Sequence, residues 1–129
     1  MTIEMYAVVA TALLLLVLAF VSAALYGAQV GNPALMGNRE GIAAPVGAAG
    51  RAQRAHRNLL ENAVPFAAVA ICGAVAGEST QLTQWAALAF VAARLVHAAA
   101  YLAGVPGIRT FAWLAGVVAT GAIAFAITF

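Results

Sequence analysis

Four long apolar stretches, parted by three polar ones, dominate this chain. The first runs from about Ile3 to Tyr26, with LLLLVLAFVSAAL at its centre. The second runs from about Asn58 to Ala76, and its helix is expected to begin earlier, near Arg51. The third runs from about Leu82 to Leu102 and the fourth from about Phe111 to Phe129. Each is close to the ~20 residues that an α-helix needs to cross the hydrocarbon core of a bilayer. Within lipid such segments must be helical, because every backbone polar group needs an internal partner. The pattern predicts an all-α membrane protein: one four-transmembrane-helix bundle over residues 1–129, with helices at about 3–26, 51–76, 82–102 and 110–129.

The polar stretches give the expected topology. Residues 27–50 are rich in Gly, Pro and Ala and should be irregular. The turn 77–81, GESTQ, carries only Glu78, and the turn 103–109, AGVPGIR, carries Arg109. Arg39, Arg51, Arg54, Arg57 and Arg109 therefore share one side. The positive-inside rule makes that side cytoplasmic, with both termini outward. The first span is too long for a secretory signal, and Glu4 stands where a basic start is expected, so it should be retained.

Composition strengthens the membrane assignment. The 129 residues are 65% hydrophobic and only 8% charged, against about a quarter charged in soluble domains. There is no Lys and no Asp. Together with the abundant Ala, this points to a GC-rich bacterial genome and hence an inner-membrane location. The net charge of +2 is no sign of nucleic-acid binding, because the arginines sit at or within apolar segments rather than on a solvated face. The single cysteine, Cys72, is expected to be core filler deep in the second span. No metal site is expected.

Polar groups of the second and third spans fall on two stripes. Arg51, Arg54, Asn58 and Glu61 are spaced 3, 4 and 3 apart, so they lie along one side of a helix. Arg57 falls off that line. In the third span, Arg94, His97 and Tyr101 repeat at 3 and 4, and Arg109 follows after the turn. Ionisable groups inside a membrane are costly and mark functional sites by default. Brought together, the stripes would make an electropositive pocket with one carboxylate, one imidazole and one phenol, suited to a small anionic or zwitterionic ligand.

The strings RAQRAHRNLLEN followed by PF, then ARLVHAAAY, then PGIR, resemble the membrane-associated proteins in eicosanoid and glutathione metabolism, the MAPEG family. The resemblance covers the whole chain and is nearest to the prostaglandin E synthase branch. It implies a homotrimer that binds glutathione between subunits and acts on a lipophilic substrate as a glutathione transferase or peroxidase. Arg54, Asn58 and Glu61 match the family's second-helix glutathione ligands. Arg94, His97 and Tyr101 match its third-helix site residues, and Arg109 matches the arginine credited with stabilising the thiolate. On this basis Glu61 anchors the glutathione ammonium, and Arg54 or Arg94 its carboxylates, with Arg51 a further cation nearby. Tyr101 or Thr110 donates a hydrogen bond to the sulfur.

The chain departs from the family in several places. Basic residues directly after helix one are missing, and Arg39 is the first positive charge there. Asn62 stands where the leukotriene synthases carry tyrosine, and Thr110 where the prostaglandin branch carries serine. Structural readings of the same residues compete. Arg51, Arg54 and Arg57 also suit snorkelling anchors, and Glu61 suits an ion pair with Arg54 or with Arg94. Gly116, Thr120 and Gly121 suit close helix packing. Two other functions fit the pattern: a non-catalytic lipid-binding or scaffolding relative, and a small proton-coupled transporter using Glu61 or His97.

Overall fold

A computed structural model describes residues 1–129. Five helices follow in order: α1 (Ile3–Val30), α2 (Asn32–Met36), α3 (Gly47–Ala76), α4 (Gln81–Ala103) and α5 (Pro106–Thr128). All but the five-residue α2 are long and apolar enough to cross a membrane. The bundle is apolar outside as well as inside. Phe20, Val75 and Phe111 point outward and are 75%, 76% and 76% exposed, as lipid-facing side chains are.

Small residues let the helices approach. Alanine is the commonest buried residue, and the large buried groups are few. Phe66 of α3 and Phe90 of α4 stack at the centre, with ring centroids 3.8 Å apart and planes 4° from parallel. Ala7, Ala87, Ala119 and Ile123 surround this stack. A second cluster, Leu18, Ala55, Leu59 and Ala98, lies toward the other end. α1 packs on α3 and α4 but not on α5, while α5 packs on α3 and α4.

The ends of the helices correct several sequence expectations. α1 continues past Tyr26 to Val30, and the stretch expected to be irregular from 27 to 50 contains α2 as well. Pro33 lies in the first turn of α2, where a missing N–H costs nothing. α3 begins at Gly47 rather than near Arg51 and runs through Pro65 without a break. The fourth spanning helix begins at Pro106, so Arg109 lies in its first turn and not in the preceding connection. Proline at the first helical position, with its φ already set, accounts for this early start.

The link between α4 and α5 is only Gly104 and Val105. Gly104 closes α4 in the left-handed conformation (φ 78°), and its N–H donates back to Tyr101 O at 3.1 Å. This two-residue turn sets Tyr101 and Arg109 on facing helix ends. Nearby, Arg51 Nε donates to Leu102 O at 3.0 Å, which caps the carbonyl end of α4.

The opposite end of the bundle holds a feature the sequence did not announce. Glu4, 2% exposed, accepts from Thr83 Oγ1 and from Ser79 Oγ, the latter at 3.0 Å from each carboxylate oxygen. Thr83 also completes a capping box with Thr80 at the start of α4. A buried carboxylate held by hydroxyls thus ties α1 to the α3–α4 turn.

Candidate functional site

α3, α4 and α5 meet at the end where α3 starts, α4 finishes and α5 begins. A cavity of about 190 Å³ opens there, lined by Asn58, His97, Tyr101, Arg109, Thr110 and Trp113. Asn58 comes from α3, His97 and Tyr101 from α4, and the other three from α5. The single turn between Tyr101 and Arg109 makes two of these contributions neighbours.

The cavity is electropositive. Arg109 Cζ lies 4.7 Å from the centroid of the Tyr101 ring, a cation–π arrangement that holds the guanidinium at the wall. The His97 ring meets the Tyr101 ring edge-on, with centroids 5.4 Å apart. None of the lining residues is a carboxylate, and Arg109 makes no ion pair in the chain. Thr110 Oγ1 donates to Pro106 O at 3.1 Å, within its own helix, which leaves its lone pairs free to accept.

Arg94 lies beneath this cavity rather than in its lining. It is 1% exposed. Its Nη2 donates to Trp113 O at 2.8 Å, and its Nη1 reaches Asn58 Oδ1 at 3.5 Å. Its Cζ stands 5.2 Å from the Phe90 ring centroid. Asn58 is also approached by Asn62 Nδ2, which donates to Asn58 O at 2.8 Å and lies 3.5 Å from Asn58 Oδ1. The second-helix asparagine is thus held from two sides.

The remaining stripe residues of α3 face elsewhere. Glu61 is exposed and accepts from Arg57 Nε at 3.1 Å, the one ion pair in the structure. The expected alternatives, pairing with Arg54 or with Arg94, are not formed. Arg54 is exposed and lines an outer cavity of about 360 Å³ together with Gln53, His56 and Arg57. Arg51 is committed to the α4 cap. The chain therefore unites Asn58, His97, Tyr101, Arg109 and Thr110, with Arg94 behind them, and presents Arg54 and Glu61 on its outer surface.

Three positions carry more than the sequence suggested. Trp113 lines the cavity one helical turn after Arg109, and that four-residue spacing was the available signal. Gly116 abuts the Arg94 guanidinium, whereas Gly121, grouped with it as a packing residue, meets no other atom within 4 Å of where a Cβ would stand. Cys72 is exposed rather than buried in the core.

No curated protein matches the chain. The family model described as MAPEG family matches residues 3–129, nearly the whole length and all four of the spanning helices. This integral membrane protein belongs to the MAPEG family, which includes glutathione-dependent enzymes.

Proposed function

We propose that the protein is a glutathione-dependent membrane enzyme, a transferase or peroxidase acting on lipophilic electrophiles or peroxides. One observation carries the reading. Arg109, Tyr101, His97 and Thr110 converge on a cavity that holds an unpaired guanidinium and no carboxylate. Such a wall favours an anion. A free thiol with a pKa near ~8.5 is only a few per cent ionised at neutral pH, and each unit by which a cation lowers that value is worth about 1.4 kcal/mol. Arg109 supplies the positive charge without titrating, and the Tyr101 hydroxyl is the accompanying donor.

The sulfur then attacks a substrate entering from the apolar side. In the transferase reaction a C–S bond forms and the leaving group departs. In the peroxidase reaction the sulfur attacks a peroxide oxygen, the O–O bond breaks with release of the alcohol, and a second thiol displaces water from the resulting sulfenic acid to give a disulfide.

The working unit in this reading is a homotrimer with each site between protomers. The cavity, about 190 Å³, is below the ~300–1,000 Å³ of most small-molecule sites. Arg54 and Glu61, which suit the carboxylates and ammonium of glutathione, face outward. A neighbouring chain that covers this face would bring them into a shared site. The excess of arginine at the site end supports a cytoplasmic location for it, in a bacterial inner membrane.

Calorimetric titration of glutathione into detergent-purified protein, followed by turnover with a chromogenic electrophile and an organic hydroperoxide, tests the proposal. Saturable binding with turnover is expected. Binding without turnover would favour a lipid-binding or scaffolding role, and no binding would overturn the reading.

A further inference from the structure

Arg94 is the largest side chain that the bundle hides completely. A buried guanidinium with no carboxylate partner is costly, so its surroundings must hold it closely. Trp113 O, Asn58 Oδ1 and the Phe90 ring do so, yet its Nε has no hydrogen-bond partner. The fourth wall is Gly116 of α5. A methyl group placed there would lie 2.6 Å from both Cζ and Nε of Arg94, and closer still to Nη2. Three atoms of one rigid plane would be struck at once. The guanidinium is 1% exposed, so making room for the methyl group would shift it against the groups that now hold it, Trp113 O and Asn58 Oδ1.

Alanine is the better helix former, and Gly116 lies in the interior of α5. The glycine is therefore explained by space. It is not a general device for packing α5, since Gly121 meets nothing within 4 Å. What Gly116 accommodates is one side chain, and that side chain bonds two residues of the cavity wall, Asn58 and Trp113.

We infer that Gly116 is a positioning residue for the thiol site, acting through Arg94, whose guanidinium fixes the Asn58 amide and the Trp113 segment of α5 in the cavity wall. The inference rests on the cavity being the glutathione site. It concerns a residue that touches no ligand itself.

The test is a double-mutant cycle between Gly116→Ala and Arg94→Met, with two readouts. The first needs no ligand: Trp113 emission, recorded in a Trp85→Phe background because the chain has two tryptophans. The second is glutathione affinity together with the pH titration of the bound thiolate by ultraviolet absorbance. Gly116→Ala should shift the emission and weaken glutathione by about ten- to a hundredfold, the range for losing a hydrogen bond to a charged group. In the Arg94→Met background the same substitution should change neither readout further. Unchanged readouts in Gly116→Ala would overturn the inference. So would equal shifts in both backgrounds, which would make Gly116 an ordinary packing residue. If Gly116→Ala alone yields no folded protein, the double variant should recover the fold, and failure to recover it counts against the coupling. Should the wild type bind no glutathione, the thiol reading falls, while the emission arm still decides whether Gly116 acts through Arg94.

Discussion

Asn58 and Glu61 stand three residues apart on α3, yet Asn58 lines the cavity while Glu61 lies on the outer surface, bonded to Arg57. Helical geometry explains the split. At 3.6 residues per turn, Asn58 is rotated about 60° from Glu61 and about 40° from Arg54, whereas Arg54 and Glu61 are only about 20° apart. Arg57 lies within about 40° of Glu61 on the far side from Asn58. One stripe thus serves two surfaces, the inner edge facing α4 and α5 and the outer edge facing away.

That outer edge leads to the first prediction. Glu61→Gln should keep the fold, because an exposed i,i+4 ion pair contributes only about 0.3–0.5 kcal/mol. It should weaken glutathione by roughly ten- to a hundredfold, since a charge-assisted contact to the ligand ammonium is worth about 1.5–3 kcal/mol. Calorimetry on the purified variant checks this. Unchanged affinity would leave Glu61 as the partner of Arg57 and nothing more.

The second prediction is that three chains assemble. Native mass spectrometry in detergent should release a homotrimer, and Arg54→Ala mixed with Glu61→Gln protein should form hybrid trimers. A monomer that binds glutathione as tightly as the assembled protein would remove the need for an interface.

Arg109 yields the third. Arg109→Ala should lower turnover far more than glutathione affinity, and the bound thiol should need a more alkaline pH to ionise. The sign follows from the charge: a nearby cation favours the thiolate, so its removal raises the thiol pKa. The same titration on Arg94→Ala is the control. A larger shift there would transfer the role from α5 to α4.

The fourth concerns the far end of the molecule. Glu4→Ala removes the acceptor for Thr83 and Ser79 and leaves a void under α1. Loss of hydrogen bonds to a buried charged group should cost about 1.5–3 kcal/mol each, lowering the melting temperature in detergent. Thiolate ionisation at the opposite end should not move. A change in that titration would show that the two ends are coupled.

The spanning helices were legible because an apolar run of the right length has few other uses. Their ends were harder. α3 starts at Gly47 with Val46 as its N-cap and no side-chain cap bond, so no residue pattern announces it. Pro106 opens α5, but a proline after Gly-Val reads equally well as part of a turn. The site was legible as a set of residue types and spacings, and the MAPEG resemblance rested on those same strings. Which surface each residue faces was not, because a three- or four-residue spacing leaves tens of degrees undetermined and a cavity is narrower than that. The Glu4 cluster was invisible for a different reason: its partners lie 75 and 79 residues away, and no local pattern links a glutamate to distant hydroxyls.

The lone cysteine has a practical consequence. Cys72 sits on the exterior of α3, so a nitroxide attached to it gives one spin per chain in the native sequence. Every dipolar distance such a sample reports is then between copies, never within one. A ring with threefold symmetry gives a single distance, and the depth of the dipolar signal counts how many spins share it. The protein thus carries its own spectroscopic ruler for how its copies are arranged, with no residue added or removed.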